Sequence, residues 1–138
     1  MTLLDIKDLK RGFGSGRRRL EVLKGINLSM EKGELVALMG PSGCGKSTLL
    51  NIIGGLLRGD SGSITIDSGM HRYNYGTKDP SGVVDVRRYG VGWIFQDFHL
   101  LEQLTAIDNV ALALEITGVS KEKAEEEARK TLIKVGLE

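Results

Sequence analysis

The densest chemistry in this sequence lies in one loop, Gly40-Pro41-Ser42-Gly43-Cys44-Gly45-Lys46-Ser47-Thr48. It matches the pattern Gly-x-x-x-x-Gly-Lys-Ser/Thr at Gly40, Gly45, Lys46 and Ser47. Each residue type has a task in holding a triphosphate. Gly40, Gly43 and Gly45 let the backbone curl until its N–H groups point inward at phosphate oxygens. Lys46 offers a point charge to the β- and γ-phosphates. Ser47 offers a hydroxyl to Mg²⁺, and Thr48 a second donor near the α-phosphate. Cys44 lies among these charges, the kind of setting in which cysteines are reactive. A small residue tolerated at a variable position is the preferred reading of Cys44.

The flanking elements must hold that loop in place. Leu35 to Met39 is a continuous apolar run, the pattern of a strand buried on both faces. Residues 46–57 follow with Leu49, Leu50, Ile53 and Leu57 at helical spacing, which predicts a helix opening in the loop. Its free N–H groups and positive dipole end would face the anion. Upstream, residues 3–10 and 20–30 alternate apolar with polar and predict strands, the second interrupted at Gly25. Phe13 to Arg19 reads as a basic, glycine-rich turn.

Downstream, Ser63 to Asp67 predicts a short strand, and residues 68–90 an irregular or partly ordered insertion. Val91 to Phe95 predicts another buried strand, ending at Gln96. Thr105 and Asp108 form a capping pair ahead of a helix whose apolar stripe is Ile107, Val110, Ala111 and Leu114. A last helix is predicted from about Lys121 to Val135, with Ala124, Ala128 and Leu132 on one face. Pairs Glu125/Arg129 and Glu126/Lys130 would decorate its exposed side.

Bulk composition narrows the function classes. The 138 residues, 41% hydrophobic and 27% charged, suit one globular domain. A net charge of +1 gives no global field for nucleic acid or anionic lipid, so no nucleic-acid partner is expected. A local basic excess does exist at Lys7, Lys10, Arg11, Arg17 to Arg19 and Lys24, against Asp8 and Glu21. It reads as a solvated loop, or as a surface facing phosphates or a membrane. The single cysteine allows no internal disulfide and points to a reducing compartment. No apolar run reaches bilayer-spanning length, and no signal peptide is evident.

Taken together, these segments resemble the nucleotide-binding subunit of ABC transporters. The resemblance runs from about Leu3 to Leu137 and is carried by Val22 to Leu28, Lys32-Gly33-Glu34, Leu38 to Leu50, Gly62-Ser63-Ile64, Val91 to Leu101, Leu104-Thr105-Ala106 and Asp108-Asn109-Val110. The last segments look most like the lipoprotein-releasing and macrolide-exporter branch. The resemblance implies an α/β fold: a P-loop NTPase core with an antiparallel β portion at the N-terminus and the start of a helical subdomain. Residues 1–95 would be the nucleotide-binding core, and 96–138 the Q-loop and helical start. It implies ATP and Mg²⁺ as cofactors. The loop residues Gly40, Pro41, Ser42, Gly43, Cys44, Gly45, Lys46, Ser47 and Thr48 would bind ATP. Phe13 falls where the family places an aromatic stacked on adenine. Gln96 matches the glutamine that reaches Mg²⁺ and the attacking water, so Lys46 and Gln96 become the catalytic candidates, and Ser47 and Gln96 the metal ligands. A transmembrane permease partner, a homodimer of nucleotide-binding subunits and a place on the cytoplasmic face of the membrane are implied as well.

The family's LSGGQ signature, its acidic strand with the catalytic glutamate and its switch histidine have no counterpart in these residues, and His71 and His99 match no switch position. The reading therefore expects a truncated ABC ATPase domain that binds nucleotide without turning it over by itself. Competing readings are an ABC ATPase working outside transport, in cell division, DNA repair or translation, a non-catalytic nucleotide-binding fragment, and another P-loop enzyme such as a small-molecule kinase. The antiparallel strands ahead of the loop and the surroundings of Gln96 count against the kinase.

Overall fold

The structure, a computed structural model, describes residues 1–137; Glu138, the end of the expected domain, lies outside them. It divides into two compact units, Met1–Gly92 and Trp93–Glu138. In the first, strands β1 (Thr2–Phe13), β2 (Leu20–Glu31), β3 (Ser61–Asp67) and β4 (Arg72–Tyr75) form one antiparallel sheet in the order β2-β1-β3-β4. Ile6 stands opposite Leu28 on one side and Ile64 on the other, and Ile64 stands opposite Tyr75. Helix α1 (Lys46–Ile53) lies between β2 and β3 in sequence.

Period-two alternation sends one set of side chains to a core and the other to solvent. Leu4, Ile6, Leu9, Leu23, Ile64, Ile66 and Tyr75 are buried together with Leu49 and Ile52 of α1. Each fully buried aliphatic side chain contributes about 1.5–3 kcal/mol relative to exposure. The opposite face is polar, where Asp5, Lys7, Ser63, Thr65, Asp67 and Arg72 border a shallow depression.

Two of the sheet's register irregularities lie at Gly25 and Asp8. Gly25, at φ 102°, takes up the register shift between Leu9↔Ile26 and Lys10↔Lys24, so β2 bends there without ending. Asp8 holds φ 47° at the second, its N–H donating to Asn27 Oδ1 at 3.0 Å. Gly62 crosses this bulge so closely that a Cβ there would lie 2.4 Å from the Asp8 carbonyl oxygen.

The structure corrects several sequence expectations. Leu35 to Met39 joins no ladder among the described residues, and Leu35 and Met39 are 101% and 88% exposed. Val91 to Phe95 is likewise extended without a ladder, with Ile94 98% exposed. A run that is apolar on both faces is stable only with strands at both edges and layers above and below. No described strand pairs with either run. Helix α1 stops at Ile53, with Gly54 as its C-cap, and buries Leu49 and Ile52 while Leu50 is 48% exposed. Four of the five positions 49–53 are apolar, so the sequence offers two overlapping stripes and the sheet selects one. Within 68–90 the ordered parts are β4, a 3₁₀ turn at Pro80–Gly82 and a π turn at Val86–Gly90.

The second unit is a helical hairpin. Helix α2 (Ala106–Glu115) starts where expected, and Thr105 Oγ1 accepts the Asp108 N–H at 3.2 Å. Helix α3 (Lys121–Lys134) is capped by Ser120. The two meet through Ala111, Ala124 and Ala128, all buried, with Ile107, Val110 and Leu114 packed alongside. Lys130 pairs with Glu126 at 3.3 Å as expected, but Glu125 pairs with Lys121 in place of Arg129. No helix among the described residues is long and apolar enough to cross a membrane.

Candidate functional site

The loop 40–48 owes its shape to two left-handed glycines, Gly43 at φ 81° and Gly45 at φ 101°. Gly45 is the N-cap of α1, and no side chain caps the helix. The first-turn N–H groups therefore lack intrahelical acceptors and form the positive end of the helix dipole. Gly45 is also packed against β2. A Cβ at this position would meet Val22 Cγ1 at 3.0 Å and Leu23 Cδ2 at 3.1 Å. A Cβ at Gly40 would meet Cys44 Sγ at 2.7 Å. At both positions a side chain fits only if its neighbours give way, so the backbone lies close against them.

Ser42, Gly43, Gly45, Lys46, Ser47 and Thr48 line a concavity of about 480 Å³ with Val22 on its wall. The Lys46 ammonium donates to the carbonyls of Gly40 and, at 3.0 Å, Pro41. The loop thus presents a cation and a helix N-terminus to the same small volume, the requirements of an anion site. Ser47 is among the residues that line it. No cluster of three or more His, Cys, Asp or Glu among the described residues forms a cage for a metal. Ser47 and Thr48 in the lining are oxygen-bearing residues, and Mg²⁺ carried by substrate phosphates typically takes only one or two protein oxygens. Cys44 is exposed and unpaired by disulfide.

Phe13 ends β1, paired with Leu20 of β2, two residues from Val22. At about 3.4 Å per residue along a strand, it lies roughly 7 Å along β2 from the phosphate concavity. Its ring is 40% exposed. Gln96 belongs to the second unit, exposed at a bend. Close by, the Phe95 ring stacks on Trp93 at 5.3 Å and meets His99 at 4.5 Å.

Two contributors to the first unit's site gave no motif. Val22 sits in an ordinary alternating strand and becomes a wall only because Gly45 is pressed against it. Asp60 gathers part of the basic cluster. It accepts the Gly12 N–H at 2.8 Å, Arg19 Nη2 at 2.6 Å and Arg11 Nη1 at 3.5 Å. The Gly12 N–H first, then Arg19 and Arg11, hold its carboxyl below the usual range. Lys7 and Lys10 pair with Asp5 and Asp8. Much of the local basic excess is thus neutralised within the fold.

Comparison with known proteins agrees with this geometry. The model of the ABC transporter family matches residues 23–138. The chain is 44% identical over 136 residues to the lipoprotein-releasing system ATP-binding protein LolD of Geobacter metallireducens, covering 99% of this chain and 59% of that protein. It is 43% identical over 137 residues to the macrolide export ATP-binding/permease protein MacB of Neisseria gonorrhoeae, covering 21% of that protein. Among solved structures, the dimeric ATP-binding cassette MJ0796 in its post-hydrolysis state, bound to ADP and Pi, superposes with a TM-score of 0.80 at 34% identity. That match covers 94% of this chain and 56% of the cassette. The chain spans somewhat over half the length of LolD and of that cassette, and about a fifth of MacB. With the family model matched across residues 23–138 and the fold superposing on a solved cassette, the chain belongs to the ABC transporter family, in the LolD- and MacB-like branch.

Proposed function

We propose that this chain binds ATP at the loop 40–48 and is the nucleotide-binding part of an ABC transporter ATPase. The observation that carries the reading is the seating of the uncapped α1 N-terminus. Left-handed Gly45, pressed on Val22, aims that N-terminus and Lys46 into one concavity. On binding, Lys46 exchanges the Gly40 and Pro41 carbonyls for β- and γ-phosphate oxygens. The loop N–H groups take the remaining oxygens. Ser47 would hold Mg²⁺, which when bound supplies positive charge to the phosphate oxygens. Phe13 receives the adenine, and Gln96 orients the attacking water.

In the hydrolysis proposed for the whole protein, the water oxygen bonds to the γ-phosphorus. The bond from that phosphorus to the β–γ bridging oxygen breaks, and ADP, inorganic phosphate and a proton leave. Such chemistry is mostly positioning and charge stabilisation. Residues 1–138 alone are expected to bind without turnover, since no segment among them matches the family's acidic strand and its glutamate. Pairing with a permease and dimerisation are proposed on the strength of LolD, MacB and the dimeric cassette. They would place the protein on the inner face of the membrane.

The test is ATP binding by the purified chain and its Lys46→Ala variant, read by thermal shift and equilibrium titration. At 100 times Kd, ATP should stabilise the wild type by about 2.7 kcal/mol. Loss of a charged donor worth about 1.5–3 kcal/mol raises Kd by roughly 10- to 150-fold. Equal stabilisation of both proteins, or none of the wild type, refutes the assignment of the loop. Phosphate release by the chain alone, abolished in Lys46→Ala, refutes the expectation of binding without turnover.

A further inference from the structure

We propose that Arg11 is a positioning residue for the adenine side of the nucleotide site, holding the Phe13 ring in its stacking attitude. The inference rests on the reading that Phe13 receives adenine. It goes beyond that reading by identifying what fixes the ring.

The Arg11 guanidinium carbon lies 4.7 Å from the centroid of the Phe13 ring. A cation at this distance over an aromatic face is attracted to the ring quadrupole. The cation is itself anchored: Nη1 donates to the Arg58 carbonyl at 3.1 Å and approaches Asp60 Oδ1 at 3.5 Å. The Arg11 side chain is only 18% exposed. Its Nε–H is buried with no hydrogen-bond partner. A well-formed fold seldom leaves a buried N–H of a charged group unsatisfied without a reason. The unpartnered Nε–H belongs to the same guanidinium that lies over the Phe13 ring.

The backbone between the two residues is clamped as well. Gly12 N–H donates to Asp60 Oδ2, and a Cβ on Gly12 would lie 2.8 Å from Arg19 Nη2. Arg19 in turn bridges Asp60 at 2.6 Å and Glu21 at 2.5 Å. Arg11, Gly12 and Arg19 therefore converge on Asp60, which follows α1 and its C-cap by a few residues. A phenylalanine on a free turn would sample several rotamers, and a base would have to select one. A ring held beneath a fixed cation, still 40% exposed, is preorganised to stack.

The experiment compares affinities of the full chain for ATP and for inorganic tripolyphosphate, which has no base. Base stacking on an aromatic is worth about five- to 150-fold. Phe13→Leu should weaken ATP by about tenfold and leave tripolyphosphate unchanged. Arg11→Met, which keeps the stem and removes the cation, should weaken ATP about two- to fivefold. It too should leave tripolyphosphate unchanged, and Arg11→Lys should recover part of the loss. The double variant should bind ATP no worse than Phe13→Leu, because Arg11 acts only through the ring. Should Arg11→Met not fold, Asp60→Asn, which loosens the anchor, takes its place with the same expected selectivity for ATP.

Unchanged ATP affinity in Arg11→Met, with the Phe13→Leu defect intact, overturns the positioning role and spares the adenine assignment. Equal losses for ATP and tripolyphosphate also overturn it, assigning Arg11 to phosphate charge or to the fold. No effect of Phe13→Leu removes the adenine assignment and the positioning role with it.

Discussion

Replacing Gly45 with alanine probes the joint between phosphate loop and sheet. Gly45 stands at φ 101°, and left-handed backbone costs an L-residue with a Cβ about 1–2 kcal/mol. The new Cβ would also meet Val22 Cγ1 at 3.0 Å and Leu23 Cδ2 at 3.1 Å. Both are ends of side chains, so a few tenths of an ångström of adjustment relieves them at a cost of about 1 kcal/mol. The expected total is about 2–3 kcal/mol. Gly43→Ala is the control, because Gly43 stands at φ 81° with nothing within 4 Å of its ideal Cβ. It should cost only the backbone part. For a chain of this size each kcal/mol moves Tm by about 4 °C. Thermal melting without nucleotide should therefore place Gly45→Ala about 4 °C below Gly43→Ala. Adding Val22→Ala to Gly45→Ala should cost less than the two single effects summed, since the larger contact is gone. Equal melting of the two glycine variants, or strict additivity with Val22→Ala, would refute the claim that Gly45 is pressed on β2.

Two further predictions concern the framework around the site. The carboxyl of Asp60 is held below its ordinary value of 3.8, chiefly by the Gly12 N–H. Its folded state therefore binds a proton less readily than the unfolded state, and its contribution is complete above about pH 4 and fades as pH falls towards the folded pKa. The stability difference between wild type and Asp60→Asn, followed by urea unfolding from pH 6 to 2, should shrink at the acid end; a constant difference contradicts the ion and hydrogen-bond network. Burial raises the Tyr75 phenol well above its ordinary value, and its hydroxyl donates to the Ile53 carbonyl. Ultraviolet titration of the three tyrosines should show one that resists ionisation until the protein unfolds, absent in Tyr75→Phe, which should lose about 1 kcal/mol.

The sequence by itself determined the local features of this protein. Glycine spacing makes the left-handed turns at Gly43 and Gly45 legible, and Lys46 beside them places a cation at the start of α1, because these are properties of neighbouring residues. Alternation in 3–10 and 20–30 determines the antiparallel strands, and Thr105 with Asp108 determines a helix start, since caps and pleats act over a few residues. Tertiary structure decided everything that depends on distant partners. It chose Leu49 and Ile52 over Leu50 for burial, because the sheet is on one side of α1. It left Leu35 to Met39 and Val91 to Phe95 unladdered, because a central strand is defined by neighbours and not by its own apolar run. It turned Val22 into a wall of the phosphate concavity and gathered Arg11, Gly12 and Arg19 on Asp60 across about 50 residues. Those contacts are set by strand register and chain return, neither of which is written in any local pattern.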